Sequence, residues 1–255
     1  MIFDTHAHYD DEQFDMDRDE LLCSMKDHNV GTIINVGASL RGCRASVELA
    51  DRYDFMYAAI GVHPDEVGDL DEEFFQWMRR TAAEHPKVVA IGEIGLDYHW
   101  DVEPREVQKS WFIRQMELAG ELDLPIAVHS RDAAQDTFDL IREYGKNLSG
   151  VIHCYSYSPE MAEEYVKLGY HIGLGGVVTF KNAKKAKETA LRVPIERILL
   201  ETDCPYMAPT PHRGKRNNSI YIDLVAEEIA ALRGMSKEEV IAATAENARR
   251  LFLKK

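Results

Sequence analysis

The amino-acid sequence predicts an α/β protein folded as a single (β/α)8 TIM barrel, with one domain over residues 1–255. Short apolar and β-branched runs alternate along the chain with longer segments of helical period. The runs contain few polar positions, as in parallel strands that are buried on both faces. Eight such units within 255 residues, with no linker rich in Pro, Gly or Ser, favour a closed barrel over an open sheet.

The predicted strands are short, and most are followed by a cluster of polar residues. Their alternation with helical segments predicts a parallel sheet. In chain order the predicted strands are Met1–Asp4, Thr32–Val36, Met56–Gly61, Val88–Gly92, Pro125–Val128, Gly150–Ile152, Tyr170–Leu174 and Arg197–Leu200.

The predicted helices are segments in which apolar residues recur with a period near 3.6. Ser158, which precedes a proline, is a candidate N-cap, and Ser236 with Glu239 has the pattern of a capping box. Gly145 and Gly169 are candidate C-caps. The predicted helices are Arg18–His28, Gly42–Tyr53, Glu72–His85, Arg105–Leu122, Ala133–Tyr144, Pro159–Leu168, Ala183–Arg192, Ile220–Arg233 and Lys237–Leu253.

The composition is that of an ordinary globular protein, with 45% hydrophobic and 29% charged residues. The apolar runs fall far short of the roughly 20 residues that span a membrane. The first residues lack the basic and apolar regions of a secretory signal. Four cysteines in a chain of this length indicate reduced thiols and not a disulfide framework. We therefore expect a cytoplasmic protein with no membrane association and no obligate protein partner.

The charge balance restricts how the protein can bind nucleic acid. Thirty basic and 44 acidic residues give a formal net charge of −14. A protein that holds duplex DNA mainly by releasing counterions is normally basic. A nucleic-acid function would therefore depend on local cations or on metal ions, and not on the field of the whole molecule.

Residues suited to metal binding follow the apolar runs. In a barrel the carboxyl ends of the strands meet at one face, where active sites of this fold lie. Taken singly, each such residue is also consistent with a solvated or structural side chain. Together they predict a metal site, because so many polar and charged groups are costly to desolvate unless ions neutralise them. The set comprises His6, His8, Glu93, His129, His153 and Asp203.

The types and spacing of these residues predict two divalent metal ions. His6 and His8 are two positions apart, so a strand points both side chains to the same face. Six ligands exceed the needs of one tetrahedral ion, and Glu93 is the best candidate for a bridging carboxylate. Oxygen and imidazole ligands suit Mg²⁺ or Mn²⁺ and also admit Zn²⁺ or Ni²⁺. Two ions about 3.5–4 Å apart would activate a bridging hydroxide for attack on a phosphodiester.

Several longer motifs occur along the whole chain. They are Phe3-Asp4-Thr5-His6-Ala7-His8, Gly61-Val62-His63-Pro64, Gly92-Glu93-Ile94-Gly95-Leu96-Asp97-Tyr98, His129-Ser130-Arg131-Asp132-Ala133, His153-Cys154-Tyr155-Ser156, Glu201-Thr202-Asp203-Cys204-Pro205-Tyr206, Pro211-His212-Arg213-Gly214-Lys215-Arg216-Asn217 and Glu246-Asn247-Ala248. In type and order they resemble the motifs of the TatD family of metal-dependent deoxyribonucleases, a branch of the amidohydrolase-like barrels.

The resemblance implies a ligand set and an activity. It implies a first metal held by His6, His8, Glu93 and Asp203, and a second metal held by Glu93, His129 and His153. It also suggests a 3′–5′ exonuclease acting on DNA ends. Two departures from the family pattern lie in loops: Tyr157 replaces a usual Gly, and Asn217-Asn218-Ser219 replaces Asn-Glu-Pro. Neither is a ligand position, so the substrate range is what they put in question.

Basic and aromatic residues after the strands predict where a nucleic acid binds. The loops after strands 7 and 8 of barrels often hold phosphate, and a Gly between cations lets backbone and guanidinium reach an anion together. Exposed rings can stack on bases, although packing at the barrel rim is an equal alternative. For Arg131 the alternative is a salt bridge to Asp132 or another neighbour. The candidates are His63, Tyr98, Arg131, Arg213, Lys215 and Arg216.

Three functions are compatible with these residues. The first is a phosphodiesterase acting on single-stranded DNA ends, in which Glu93 and Asp203 are catalytic. The second is a related barrel hydrolase that cuts an amide, lactone or organophosphate. Many relatives of that kind bridge their metals through a carboxylated Lys where this chain has Glu93. The third is a non-catalytic metal-binding scaffold, which would be expected to have lost a ligand. Glu93 at that position favours the first function over the second, and the complete ligand set argues against the scaffold.

The expected role of Asp203 is twofold. We expect it to bind the first metal and to accept the proton of the attacking water. If Asp203 is only a ligand or a structural acceptor in the turn that follows it, His63 becomes the candidate base.

Overall fold

The apolar runs of the sequence form strands, and the segments of helical period form helices between them. The structure, a computed structural model, describes residues 1–253. Within this range one sheet has eight strands, and their order in the sheet is their order in the chain. The strands are β1 (Ile2–Ala7), β2 (Val30–Val36), β3 (Met56–Ile60), β4 (Val88–Asp97), β5 (Ile126–Arg131), β6 (Gly150–Ile152), β7 (His171–Leu174) and β8 (Ile198–Leu200).

Each predicted helical segment overlaps one of the nine α-helices found among residues 1–253, and all of these helices except α2 lie within their predicted bounds. Helix α2 begins at Leu40, before the predicted start at Gly42. None of the helices within that range has both the length and the apolar character needed to cross a membrane. The helices are α1 (Arg18–Ser24), α2 (Leu40–Arg52), α3 (Glu72–Glu84), α4 (Arg105–Leu122), α5 (Ala134–Tyr144), α6 (Pro159–Lys167), α7 (Lys184–Arg192), α8 (Ile222–Arg233) and α9 (Lys237–Phe252).

The helix-start signals at α6 and α9 are confirmed by hydrogen bonds. The Ser158 hydroxyl accepts a hydrogen bond from the backbone N–H of Met161 at 3.3 Å. Ser236 and Glu239 form the complete capping box, in which each side chain accepts from the other residue's backbone N–H. These contacts satisfy backbone N–H groups that have no partner within the helix itself.

Three strands continue past their predicted ends, and the additional residues carry much of the candidate site. The prediction ended each strand near its first polar residues, whereas β1 continues to Ala7, β4 to Asp97 and β5 to Arg131. The ladder between β4 and β5 shows why, since Gly95 still pairs with His129 and Asp97 with Arg131. Backbone pairing therefore persists beyond the apolar residues, and polar side chains project from the strands themselves.

One compact unit contains Met1–Asn35 and residues 154–253. In it β1 pairs with β2, and β7 pairs with β8, both in parallel. Helix α9 packs on β1 and β8. Ala7, at the end of β1, forms a parallel bridge with Cys204, which follows β8. This bridge brings the polar residues after β1 beside those after β8.

The second compact unit contains Val36–His153. Strands β3 to β6 pair in parallel in chain order, and β4 is buried along its whole length. Gly95 in β4 has a φ of 150°, and a side chain there would collide with the backbone carbonyl of His129. The glycine thus allows β4 and β5 to approach closely beside their polar residues. The single domain expected from the sequence stays a prediction.

Two buried glutamines of α4 fix the backbone at the ends of β3 and β4. The Gln115 amide accepts from the Val62 N–H at 2.8 Å and donates to the Val62 carbonyl at 3.2 Å. About two turns earlier in the same helix, the Gln108 amide accepts from the Asp97 N–H at 2.9 Å and donates to the Asp97 carbonyl at 3.1 Å. Both side chains are fully buried. They supply hydrogen bonds that a strand neighbour would otherwise provide.

We predict that Gln115→Leu lowers the free energy of unfolding by about 1–3 kcal/mol, because it leaves the buried Val62 N–H and carbonyl without their partner. Chemical denaturation of the metal-free protein measures the effect. The matched control is Gln135→Leu, whose amide lies on the surface of α5 and bonds to Asp139 in the same helix. The control should change stability by no more than about 0.5 kcal/mol. Equal effects in both variants would contradict the structural role of Gln115.

Candidate metal centre

The first group of possible metal ligands lies in the unit that contains β1 and β8. The Nε2 atoms of His6 and His8 are 3.2 Å apart, and His8 Nε2 is 3.4 Å from Asp203 Oδ1. One ligand atom from each of the three residues lies within 4.8 Å of the others. His8 directly follows β1, which ends at Ala7. The short distance shows that both imidazoles lie on one side, as the His-x-His spacing predicts.

Backbone contacts hold Asp203 against the end of β1. Its N–H donates to the His6 carbonyl at 2.9 Å, and the His8 N–H donates to the Cys204 carbonyl at 2.8 Å. Asp203 itself has a φ of 57°, a left-handed conformation that is uncommon outside glycine. The buried Asn217 amide donates to the carbonyls of Thr202 and Tyr206, both at 2.8 Å. The side chain of Asp203 is therefore aimed by the surrounding backbone.

Asp4, two residues before His6 in β1, is fully buried and binds the segment that follows β8. Its carboxylate accepts from the backbone N–H groups of His6 and Thr202 and from the hydroxyls of Thr202 and Ser219, at 2.6–3.2 Å. Burial raises the pKa of Asp4 to about 6, although these hydrogen bonds act in the opposite direction. Asp4 thus ties β1 to the segment after β8.

The second group of possible ligands lies in the unit that contains β4, β5 and β6. Glu93 Oε1 is 3.0 Å from His129 Nδ1 and 3.7 Å from His153 Nε2. Glu93 is 4% exposed, so its carboxylate is almost removed from water. The His153 N–H donates to the Val128 carbonyl at 2.9 Å, which holds the end of β6 against β5. One carboxylate oxygen therefore faces two imidazoles.

The other ring nitrogen of His129 faces a second carboxylate. His129 Nε2 lies 3.0 Å from Asp97 Oδ2. Burial alone would lower the pKa of His129, but the hydrogen bonds to Asp97 and Glu93 outweigh it and raise the pKa to about 9. Burial would likewise raise the pKa of Asp97, but His129 and the backbone N–H groups of Trp100 and His99 lower it to about 2.

His63 borders this group without entering the Glu93 pair. Its ring lies edge-on to the His129 ring, with centroids 4.2 Å apart. His63 Nδ1 accepts from the backbone N–H of Asp65 at 3.2 Å. Burial, followed by the charge of Asp97, raises the pKa of Asp65 to about 6. The structure thus places the alternative base beside a proposed ligand, His129.

Both groups have the chemistry of a site for divalent cations. Their donor atoms are imidazole nitrogens and carboxylate oxygens, which bind Mg²⁺, Mn²⁺ or Zn²⁺. Carboxylates buried to the degree seen at Glu93 are costly unless they are neutralised. The residues present therefore fit bound metal ions, which would replace protons between the imidazoles and the carboxylates.

Two of the predicted substrate residues, Arg216 and Tyr98, form hydrogen bonds with other residues of the protein. Arg216 pairs with Asp17 through two hydrogen bonds of 2.8 and 2.5 Å and also donates to the Gln13 carbonyl. The Tyr98 hydroxyl donates to Asp136 at 2.8 Å. These two side chains already have structural partners in the protein.

Three other predicted substrate residues present their cationic groups to solvent. Lys215 and Arg213 are exposed, and the Arg213 guanidinium lies 4.3 Å from the centre of the Phe180 ring. Arg131 is exposed as well and lies 5.4 Å from the centre of the Trp100 ring. The alternative partner considered for Arg131, Asp132, instead faces His99 Nδ1 at 3.1 Å.

Sequence reasoning assigned no role to Asp4 or Asp97, although both stood in the quoted motifs. The signal was the period of two in a strand. Asp4 precedes His6 by two residues, and Asp97 follows Glu93 by four, so each carboxylate shares a strand face with a predicted ligand. The prediction applied this rule to His6 and His8 and did not extend it to Asp4 or Asp97.

The chain is similar to known proteins over nearly its full length. Residues 3–253 match the family described as TatD related DNase. A Bacillus subtilis protein named as an uncharacterized metal-dependent hydrolase, YabD, is 47% identical, and the match covers 99% of each chain. The Escherichia coli protein YcfH, which carries the same description, is 37% identical over 98% of this chain and 95% of its own.

Solved structures show the same likeness. The crystal structure of YjjV, a TatD homologue from Escherichia coli, matches with a TM-score of 0.92 and 31% identity. The match covers 100% of this chain and 98% of YjjV. The (β/α)8 fold class predicted from the sequence is thereby confirmed.

We predict that the His129 imidazole of the metal-free protein titrates near pH 9 instead of near its ordinary value of 6.5. The raised pKa of His129 stabilises the fold below pH 6.5, and this contribution is lost as the pH rises through 9. The lowered pKa of Asp97 stabilises the fold above pH 3.8, and this contribution is lost as the pH falls through 2. The pair therefore stabilises the fold most between pH 3.8 and pH 6.5.

Ring-nitrogen NMR of the metal-free protein measures the His129 midpoint directly. The matched variant Asp97→Asn removes one of the two carboxylates and should move the midpoint toward 6.5. A wild-type midpoint already near 6.5 would show that the carboxylates do not hold a proton on the ring.

Proposed function

Because the chain belongs to the family of TatD-related DNases, as its motifs predicted, and is a metal-dependent hydrolase acting on ester bonds, we propose that it cleaves the phosphodiester bonds of DNA. We further propose that it acts as a 3′–5′ exonuclease on single-stranded ends. The observation that carries this proposal is the His6, His8 and Asp203 group, whose ligand atoms converge within 4.8 Å.

The proposed metal centre has two ions. His6, His8 and Asp203 would hold the first, and His129 and His153 the second, with Glu93 shared by both. Two observations support the assignment of Glu93: a single carboxylate oxygen faces two imidazoles, and the strand ends of a (β/α)8 barrel lie at one face. Mg²⁺ or Mn²⁺ suits the phosphodiester chemistry, and the donors also accept Zn²⁺ or Ni²⁺.

The chemistry divides between the ions and the protein. Two divalent ions bound there would make a water more acidic and offset the negative charge of the phosphodiester. Asp203 is the proposed proton acceptor, because it is partly exposed while its neighbours Thr202 and Cys204 are buried. Its left-handed backbone and its link to the His6 carbonyl hold the carboxylate in one place. A base held in position lowers the barrier without paying for its own ordering.

The exposed cations and rings are the proposed contacts for the DNA strand. Arg131 beside Trp100 offers a charge for a phosphate and a ring for a base. Arg213 beside Phe180, together with Lys215, offers a second such contact in the other unit. Arg216 would act by holding its loop through Asp17. Tyr98 and His63 complete the proposed substrate residues.

The decisive experiment is a substrate panel. Purified protein is incubated with single-stranded DNA labelled at either end, duplex DNA, RNA, an aryl phosphodiester and a lactone, with and without Mg²⁺ or Mn²⁺. We expect metal-dependent release of mononucleotides from the 3′ end of single-stranded DNA. Glu93→Ala, purified in parallel, controls for contaminating nucleases. Turnover of the lactone alone would assign the protein to the other hydrolases of this fold, and no turnover of any substrate would favour a scaffold.

We also propose a cytoplasmic location. No disulfide joins Cys23, Cys43, Cys154 and Cys204, all of which lie within the described residues. Reduced cysteines are typical of the cytosol. Fractionation of cells that express the natural protein tests this proposal.

We predict that Glu93→Ala abolishes binding of both ions, because the one side chain that would serve two metals is removed. His8→Ala and His153→Ala should each weaken a different ion and leave the other bound. Calorimetric titration with Mn²⁺ counts the ions, and Glu84→Gln, on the exposed end of α3, is the matched control. Two intact sites in the Glu93 variant would exclude the bridging role.

We predict that Asp203→Asn lowers turnover by about 10²–10⁴-fold, the typical loss when a positioned base is removed. The amide keeps one coordinating oxygen, so two ions should still bind and KM should change little. Asp123→Asn is the matched control, since Asp123 also has a positive φ, of 52°, and lies at the exposed end of α4. Near-normal turnover of Asp203→Asn would transfer the role of base to His63.

A further inference from the structure

His129 has a carboxylate beside each of its two ring nitrogens. Nδ1 lies 3.0 Å from Glu93 Oε1, and Nε2 lies 3.0 Å from Asp97 Oδ2. A neutral imidazole carries a proton on one nitrogen and a lone pair on the other, and only the lone pair binds a metal. The nitrogen that keeps its proton therefore decides on which side His129 can act as a ligand.

Asp97 is held in place, because its backbone and its other carboxylate oxygen already have hydrogen-bond partners. Its Oδ1 accepts the backbone N–H groups of His99 at 2.8 Å and Trp100 at 2.9 Å. Its own backbone is held by Gln108 of α4, and the residue is 1% exposed. The remaining oxygen, Oδ2, points at His129 Nε2. An acceptor fixed in this way selects a proton on Nε2.

We propose that Asp97 is a positioning residue for the metal centre, which accepts the Nε2 proton of His129 and thereby directs the Nδ1 lone pair toward the ion beside Glu93. This inference rests on the proposed function only in taking His129 as a ligand. It extends that function by one residue: Asp97 would raise metal affinity without touching the metal or the substrate. Buried carboxylates commonly act in this way on metal-binding histidines.

A competing assignment makes Asp97 a metal ligand. His63, Asp97 and His129 also offer ligand atoms within 4.8 Å of one another. A hydrogen bond accounts for the 3.0 Å separation of Nε2 and Oδ2 without an additional ion. The two assignments differ in one consequence. Removing His63 would abolish binding of an ion only if the His63, Asp97 and His129 cluster holds one.

Asp97→Asn provides a sharp test because the amide can orient in only one favourable way. The two backbone N–H groups at the Oδ1 position require an acceptor there, so the amide oxygen must take that place. The amide NH2 group then faces Nε2 and donates to it. His129 must shift its proton to Nδ1, which removes the lone pair from the metal side. The same reversal of a tautomer explains why Asn fails to replace the aspartate of a catalytic triad.

The experiment measures binding of Zn²⁺ and Mn²⁺ by calorimetry in the full-length protein. We expect Asp97→Asn to weaken the ion bound by His129 by about 10–100-fold. Asp97→Ala offers no wrong donor, so it should weaken that ion less, although it should reduce thermal stability more. Asp132→Asn is the matched control: it neutralises a neighbouring carboxylate that faces His99 and has a φ of 54°, which Asn tolerates. Its affinity should equal that of the wild type.

Ring-nitrogen NMR of the Zn²⁺-loaded wild type supplies a readout that needs no variant. We expect the His129 proton on Nε2 and the metal on Nδ1. A proton on Nδ1, or unchanged affinity in Asp97→Asn, would overturn the proposal. If Asp97→Ala has both lower metal affinity and lower thermal stability than Asp97→Asn, affinity merely follows stability. Asp97 would then be only a structural residue. Loss of an ion in His63→Ala would establish the competing ligand assignment.

His129→Ala separates this inference from the proposed function. If His129→Ala binds both ions as tightly as the wild type, the proposed ligand set is wrong and the role of Asp97 falls with it. If His129→Ala loses an ion while Asp97→Asn does not, only the role of Asp97 is wrong.

Discussion

The structure depends on one constraint: polar groups at the ends of buried strands must find partners within the protein. Asp4 is fully buried and accepts four hydrogen bonds from the segments it joins. Asp97 is buried as well and divides its two oxygens between backbone N–H groups and His129. Gln108 and Gln115 complete the backbone pairing where the ladder ends. A buried group without a partner costs about 1–3 kcal/mol, so each of these contacts restricts the local conformation.

The same constraint produces an ordered site. His6, Glu93 and His129 belong to strands, whose backbone pairing limits their movement. Asp203 lies in a loop, but its N–H is bound to the His6 carbonyl and its neighbour Thr202 is held by Asn217. Proposed ligands held this firmly would lose little entropy when a metal binds. The hydrogen bonds that stabilise the strand ends therefore also prepare the metal groups.

The fold and the first contacts of the site could be predicted from the sequence because each depends on a local pattern. Apolar runs alternating with helical periods define the strands and helices, and the His6-x-His8 spacing defines a shared face. The strand ends were placed too early because composition, unlike hydrogen bonding, changes abruptly at the first polar residue. The structural pairing of Arg216 with Asp17 joins residues distant in the chain, so no local pattern indicates it. To assign a role to Asp97, the prediction would have needed both the full length of β4 and the position of His129 on the neighbouring strand β5.

The net charge of −14 and a DNA substrate are compatible if recognition is local. At physiological ionic strength, charges are screened beyond about 8 Å, so distant carboxylates repel a strand weakly. The exposed guanidinium groups of Arg131 and Arg213 each lie beside an aromatic ring, at Trp100 and Phe180. A cation beside a ring suits an unpaired nucleotide, whose phosphate and base face are both accessible, and a duplex hides the second of these. Metal ions would add positive charge only where the phosphodiester is cut. With DNA as the proposed substrate, this arrangement would favour a single-stranded end over the duplex, and the chain would not need to be basic.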